Sequence, residues 1–228
     1  GLAQYTNQFL TGTATYPDGS TSEFGTPLLI IAPSTEPSLP ADVVVVEGDP
    51  FTMEVQAEGT PDLLYQWQFS ADNSANDADW TNLTNDGRFS GVTTPVLSNS
   101  GATLAPQDDR GFYRCLVTNP VGDTRSRAAQ LTVLSNALTS AAVTTLSDVA
   151  DGDTRSFAHI VTWPGEDGVI SLRELILAAN NMPGANDINF GISGTILLQS
   201  ALPALTEDAL VNGRRGTHIN GNGNVSIS

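Results

Sequence analysis

Between positions 43 and 135, apolar residues occur in short alternating runs that stop at Gly, Pro, Asn or Asp. The runs include FTMEV, LLYQWQFS and FYRCLV. Such alternation predicts half-buried strands, and regular turn signals between them are typical of an antiparallel β-sandwich. We therefore expect residues 43–135 to form one sandwich.

One segment, residues 170–184, has a helical period instead. Ser171 followed by Glu174 makes a capping box, and the Pro-Gly pair at 183–184 ends the segment. One face of this predicted helix carries Leu172, Leu175, Ile176 and Ala179. An amphipathic helix of this kind needs a flat apolar surface to cover.

The residues that follow the helix supply such a surface. INF, TILL, ALVNG, THING and NVSIS are very short strand-like runs, separated by Gly and Asn at nearly regular spacing. This rhythm is typical of a parallel β-helix, whose terminal coil needs a cap. We expect residues 185–228 to form the first coils, residues 170–184 to form the capping helix, and residues 136–169 to be a linker leading into the coils.

The N-terminus contains a weak repeat of the sandwich. FLTGTATYPDGSTSEFGTPLLII aligns without a gap on FYRCLVTNPVGDTRSRAAQLTVL, which lies 103 residues further on. Residues 1–32 are therefore predicted to be the last two strands of a preceding repeat, and a plain hairpin around PDGS is the alternative. The prolines of residues 33–42 indicate a stiff linker.

The charge of the chain limits its partners. The 228 residues include 25 acidic and 9 basic side chains, which gives a net charge of -16. Because this charge repels nucleic acid and anionic lipid, we expect neither as a partner. No apolar run approaches the roughly 20 residues that span a bilayer, so no membrane insertion is expected. If the protein is exported, its signal lies outside this chain.

One acidic loop is a candidate metal site. SDVADGDTRS, residues 147–156, places Asp148, Asp151 and Asp153 around Gly152. Carboxylate oxygens are suitable ligands for Ca²⁺, although the spacing differs from that of an EF-hand. A solvated acidic turn is the alternative interpretation.

The remaining polar residues do not form a catalytic pattern. His159 and His218 are far apart in sequence and have no ligand-spaced partner. Glu207 and Asp208 are adjacent and would project to opposite sides of a strand, which does not suit a general acid and base. We expect no catalytic residue and no cofactor.

The segment Asp109-Arg-Gly-Phe-Tyr113-Arg-Cys115 resembles the D-x-G-x-Y-x-C signature of immunoglobulin-like domains of the I-set type. The resemblance implies that Trp67 lies in the core and that Tyr113 forms the tyrosine corner. It also implies an ion pair between Arg88 and Asp109. Val55 stands where the family has its first cysteine, so we expect Cys115 to be a buried, unpaired and unreactive thiol.

The segment DGVISLRELILAANNMPGANDINFGISGTILLQSALPAL resembles the CSLREA segment of bacterial secreted proteins. Ile170 replaces the cysteine of that pattern and Leu175 replaces its alanine. The resemblance implies the start of a right-handed parallel β-helix in a secreted or cell-surface protein. The fold class expected for the whole chain is therefore mainly β, an immunoglobulin-like sandwich followed by a capped parallel β-helix.

Two functions are consistent with this organisation. The first is a non-catalytic segment of an adhesin, stalk or filament subunit, which associates with proteins, including its own copies by strand addition, or with a glycan surface. The second is the N-terminal part of a polysaccharide-acting lyase or hydrolase whose active site lies beyond this chain. The sequence favours the first because the coils offer few carboxylates, although a fold alone does not fix a function.

Overall fold

The computed structural model describes residues 8–10, 15, 17, 28–101 and 109–221. Its contacts divide the chain into two compact units, residues 1–133 and 134–228, which we describe separately.

The described part of the first unit is built from short strands and one 3-10 turn at Asp77–Asp79. The strands are β1 (Gln8–Leu10), β2 (Leu28–Ile30), β3 (Ser34–Thr35), β4 (Val43–Val46), β5 (Phe51–Glu54), β6 (Ala57–Glu58), β7 (Leu64–Ser70), β8 (Thr81–Asn82), β9 (Phe89–Ser90), β10 (Val96–Asn99), β11 (Gly111–Asn119), β12 (Gly122–Arg125) and β13 (Ala129–Leu134).

Two of the sheets form the sandwich that alternation predicted. The smaller sheet has the order β5-β10-β9, and the larger has the order β4-β13-β11-β7-β8, with β12 added to β11. In β5, Phe51 and Met53 are buried while the residues that alternate with them are exposed. These side chains share one core with Trp67 and Val133 of the larger sheet, so burial of apolar area holds the two sheets together.

The predicted details of this core are confirmed. Trp67 is fully buried and lies opposite Cys115 in the register of β7 and β11. Cys115 is a free, buried thiol. The Tyr113 hydroxyl donates to the backbone oxygen of Asp109 at 2.9 Å, and Arg88 forms an ion pair with the Asp109 carboxylate.

The N-terminal segments add two details. β1 and β2 are antiparallel neighbours, and most of the hairpin predicted between them lies outside the described residues. β3 pairs with β6, so the segment 33–42, expected to be a linker, contributes a strand instead. Two residues of pairing were too short for the sequence pattern to indicate a strand.

The second unit contains two helices and short parallel strands. In chain order these are β14 (Ser140–Val143), α1 (Phe157–Thr162), α2 (Leu172–Asn180), β15 (Asn186–Phe190), β16 (Gly194–Leu197), β17 (Ala209–Asn212) and β18 (Thr217–Asn220). The segment 136–169, expected to be a linker, therefore contains β14 and α1. The run NVSIS lies outside the described residues.

The strands of the second unit form two parallel sheets, β14-β15-β17 and β16-β18. Asn186 of β15 pairs with Ala209 of β17, and Gly194 of β16 pairs with Thr217 of β18, so both offsets are 23 residues. Both sheets therefore contain a step of 23 residues, whereas the step from β14 to β15, from Ser140 to Asp187, is 47 residues.

Helix α2 has the capping box that the sequence predicted. The Ser171 hydroxyl accepts from the Glu174 backbone N–H at 3.2 Å, and the Glu174 carboxylate accepts from the Ser171 N–H at 2.7 Å. The buried residues of α2 are Leu172, Glu174, Leu175, Ile176, Ala178 and Ala179. The apolar members of this face pack in one core with Ile188 and Ile196 of the parallel strands, and α1 packs against α2.

Candidate functional site

The first turn of α2 and the acidic loop before it form the polar centre of the second unit. Arg173 binds both carboxylate oxygens of Asp148, through Nε at 3.0 Å and Nη2 at 2.7 Å. The Asp148 side chain is 1% exposed and that of Arg173 is 14% exposed. A bidentate pair in this setting is shielded from water, which strengthens it and also fixes its geometry.

The same two side chains hold the segment that follows β16. Arg173 donates to the backbone oxygens of Ala201 at 2.8 Å and Ser200 at 2.9 Å. Asp148 accepts from the Gln199 backbone N–H at 2.8 Å. The pair therefore links the acidic loop, the helix and the chain after β16, and its function is structural.

Glu174 organises the other half of the acidic loop. This carboxyl side chain is buried, and beyond the capping box its Oε1 accepts from the backbone N–H groups of Asp151 at 3.0 Å and Gly152 at 2.9 Å. Three backbone N–H groups thus solvate one buried carboxylate, which offsets the cost of burying it.

The three predicted metal ligands are not brought together. Asp148 is bound by Arg173, and Asp151 Oδ2 accepts from the Glu166 backbone N–H at 2.9 Å. Asp153 pairs with Arg155 at 2.7 Å, and the hydrogen bond from Arg155 lowers the pKa of this carboxyl. Across the described ranges, no group of three or more His, Cys, Asp or Glu side chains is placed to hold a metal ion. The calcium hypothesis thus gains no support from the geometry.

A surface groove of about 610 Å³ lies beside this network. It is lined by Asp151, Gly152, Asp153, Thr162, Trp163, Pro164, Gly165 and Glu166. Trp163 is 37% exposed, whereas Trp67 and Trp80 are 0% and 7% exposed. The groove therefore presents the most accessible indole of the protein.

The other titratable candidates take separate positions. His159 is buried in α1, where its Nδ1 lies 2.6 Å from the Ser156 hydroxyl, the N-cap of the helix. His218 is an exposed residue of β18, and Glu207 and Asp208 are exposed before β17. Burial raises the pKa of Cys115 to about 12, so its thiol stays protonated at neutral pH and is a poor nucleophile.

The sequence indicated part of this site. The capping box identified Glu174 from local spacing, but the bonds from Glu174 to residues 151–152 depend on the tertiary fold. Arg173 and Asp148 are 25 residues apart, a separation at which no periodic pattern links two charges. The Pro-Gly pair at 164–165 was a turn signal that could have drawn attention to Trp163.

Comparison with known proteins identifies the sandwich. The immunoglobulin I-set domain family matches residues 36–133, and this region is an I-set immunoglobulin domain. The match begins at residue 36, directly after β3, and ends at residue 133, within β13. Among curated proteins, none matches the chain in sequence.

Several solved structures are similar to the chain. The titin and obscurin-like 1 immunoglobulin complex is 25% identical, with 46% of this chain and 95% of that chain covered and a TM-score of 0.36. Drosophila OTK, extracellular domains 3–5, is 21% identical, with 56% and 40% covered and a TM-score of 0.36. A Dscam structure on isoform specificity is 19% identical, with 59% and 34% covered and a TM-score of 0.41. The chain thus spans less than half of the OTK and Dscam structures.

Proposed function

We propose that the chain is a non-catalytic segment of a secreted or cell-surface bacterial protein, in which an I-set domain precedes the capped start of a parallel β-helix. The role is structural or adhesive, as in a stalk, adhesin or filament subunit. The observation that carries the proposal is the offset of 23 residues that both parallel sheets share.

A shared offset supports a β-helix because each coil of such a fold repeats the path of the previous one. Side chains at equivalent positions then stack. In this chain, Asn212 Nδ2 donates to Asn189 Oδ1 at 3.0 Å, and Asn189 Nδ2 donates to the Ser140 hydroxyl at 2.9 Å. Asn189 and Asn212 are register partners, as expected for stacked coils, whereas the bond to Ser140 is diagonal, because Ser140 lies opposite Asp187.

The helices support the role of a cap. α2 contacts β14 and β15, and its apolar face lies in the core that those strands share. A helix that covers the first coil removes its apolar surface from water and leaves further coils to extend away from it. The resemblance of roughly residues 145–228 to the CSLREA segment supports a bacterial surface protein.

Strand β17, in the last coil that the structure describes, has apolar side chains that remain exposed. Ile188 is 0% exposed, but Val211, which occupies the equivalent register position in the next coil, is 39% exposed. Leu210 beside it is 59% exposed. Among the described strands, β17 pairs with β15 alone, so its outer edge can accept another strand.

We propose that another strand covers this edge, supplied by a second subunit or by another part of the chain, and we favour strand addition between subunits. Light scattering after size-exclusion chromatography at increasing concentration tests the assignment, with association expected. Val211→Lys places a charge in the surface to be buried and should weaken association at least tenfold. Val161→Lys makes the same change at a residue of α1 that is 50% exposed, against 39% for Val211, and should leave association unchanged. A strict monomer, or equal behaviour of the two variants, would contradict strand addition.

The non-catalytic assignment has its own test. The protein is incubated with a panel of acidic and neutral polysaccharides, and new reducing ends and unsaturated products are measured. We expect none above a heat-denatured control. Product formation above that control would contradict the non-catalytic assignment.

A further inference from the structure

The groove at Trp163 has a shape and chemistry that the proposed structural role does not use. Trp163 ends α1, and its ring rests against the ring of buried His159, with centroids 6.0 Å apart. One side of the indole is therefore supported by the core of the unit, while more than a third of the residue faces solvent.

The walls of the groove are fixed by internal hydrogen bonds. The Asp153 backbone N–H donates to the Trp163 carbonyl at 2.9 Å, and the Asp151 carboxylate holds the Glu166 N–H. At Gly165, which has φ of +97°, a side chain would collide with the Asp151 carboxylate. The loop that carries Trp163 is thus tied to the loop that Glu174 holds, and the groove is formed before any ligand arrives.

The charge of the groove selects the ligand. The charged residues that line it are Asp151, Asp153 and Glu166, all of them acidic. Asp153 is paired with Arg155, which leaves Asp151 and Glu166 as the negative charges beside the indole. An aromatic face next to carboxylates attracts a cation, through the ring quadrupole and through charge-assisted hydrogen bonds.

We propose that this groove binds an arginine side chain of a partner protein, with the guanidinium stacked on Trp163 and paired with Asp151 and Glu166. Arginine fits better than lysine because its planar group can stack on the indole and bind a carboxylate at the same time. An open groove covers one side chain, which suits a segment of a protein more than a free small molecule. This proposal does not depend on the β-helix assignment.

The test follows the indole N–H signals by NMR in the intact protein, which has only three tryptophans. Trp163→Phe assigns the Trp163 signal. The probe is the capped peptide Gly-Gly-Arg-Gly-Gly, and the matched control replaces Arg by neutral, isosteric citrulline. We expect a saturable shift of the Trp163 signal with the arginine peptide, weaker at high salt, and no saturation with citrulline.

Two variants make the test specific. Glu166→Gln should weaken binding about twofold to fivefold, as expected for an exposed charge pair. Glu207→Gln removes an exposed carboxylate elsewhere in the unit and should leave binding unchanged. Equal shifts with both peptides, equal effects of the two variants, or saturation by a neutral oligosaccharide instead of the arginine peptide would each overturn the proposal.

Discussion

At the scale of single residues, the second unit depends on buried charges that are fully bonded. Removing one partner of such a pair leaves an uncompensated charge, which costs far more than the pair contributes when intact. The Arg173–Asp148 pair is of this kind, because the Asp148 side chain is 1% exposed. The Arg155–Asp153 pair has similar chemistry but is much more exposed, which makes it a matched control.

We therefore predict that Arg173→Gln destabilises the second unit by about 3–5 kcal/mol. Arg155→Gln should cost no more than about 1 kcal/mol, because water screens that pair. Urea denaturation measured for the unfolding of residues 134–228 compares the two. Adding Asp148→Asn to Arg173→Gln should recover part of the loss, and its failure to do so would show that the lost bonds to residues 200–201 dominate.

Cys115 gives a prediction about pH. Burial raises its pKa from 9.0 to about 12, so the folded chain keeps a proton that the unfolded chain releases above pH 9. The thiol's contribution to stability is fully present below pH 9 and is lost as the pH rises toward 12, by up to about 1.4 kcal/mol per pH unit. The chain has no lysine, but burial also raises the pKa of Tyr65 and of Tyr113 above 10.0, so both tyrosines add to the loss as the pH approaches 10.

We expect the I-set domain to lose about 1 kcal/mol between pH 8 and pH 10. Cys115→Val, which removes the thiol and keeps an apolar side chain of similar size, should lose clearly less over the same range. Chemical denaturation at a series of pH values measures both proteins. Parallel pH profiles would mean that Cys115 titrates normally in the folded state.

At the scale of elements, the sequence predicted the helix that has a clear apolar period and missed the helix and the strand that are too short to show one. Helix α2 was predicted because its apolar face repeats over more than two turns and begins at a capping box. Helix α1 was not, because its six residues span less than two turns and give no clear period. Strand β14 was missed because it has only four residues and because its partner, β15, lies more than forty positions further along the chain.

The site follows the same division. Local spacing revealed the cap at Ser171 and Glu174, whereas the partners of Asp148 and Asp151 come from distant segments. Arg155, the partner of Asp153, is the exception, since it lies two residues away. The spacing of the three aspartates suggested a metal site. In the folded chain, Arg173, Arg155 and a backbone N–H group bind these carboxylates instead.

The central element prediction concerns α2. Leu175 is fully buried in the core of the second unit, so Leu175→Asp places a charge in an apolar environment without a partner. We expect this variant to unfold residues 134–228 while the I-set domain stays folded. Leu177→Asp, on the partly exposed side of the same helix, is the control and should be tolerated.

Differential scanning calorimetry, with near-UV circular dichroism of the I-set tryptophans, separates the two units. For Leu175→Asp, we expect only the unfolding transition of residues 134–228 to be lost. If both transitions disappear together, the two units share one cooperative fold, and the division near residue 134 does not describe their stability.

At the scale of the whole molecule, the dominant property is the excess of negative charge. At least six of the nine arginines, Arg88, Arg114, Arg125, Arg127, Arg155 and Arg173, are engaged in ion pairs. The net charge of -16 is therefore carried by carboxylates that have no basic group to balance them. Added salt has two opposite effects on stability. It weakens the ion pairs, which is destabilising, and it screens the repulsion among the unbalanced carboxylates, which is stabilising.

The repulsion should be the larger effect, since the exposed pairs each contribute little and the unbalanced carboxylates are spread over both units. We predict that raising NaCl from about 10 mM to 200 mM, across which the screening length falls from roughly 30 Å to under 10 Å, stabilises the protein by about 1 kcal/mol, or a few degrees in Tm. Thermal unfolding at matched pH measures this. The Arg173→Gln variant, which has one more unbalanced charge, should gain at least as much. A Tm that falls with salt would mean that the ion pairs, and not the excess charge, set the electrostatic stability of the molecule.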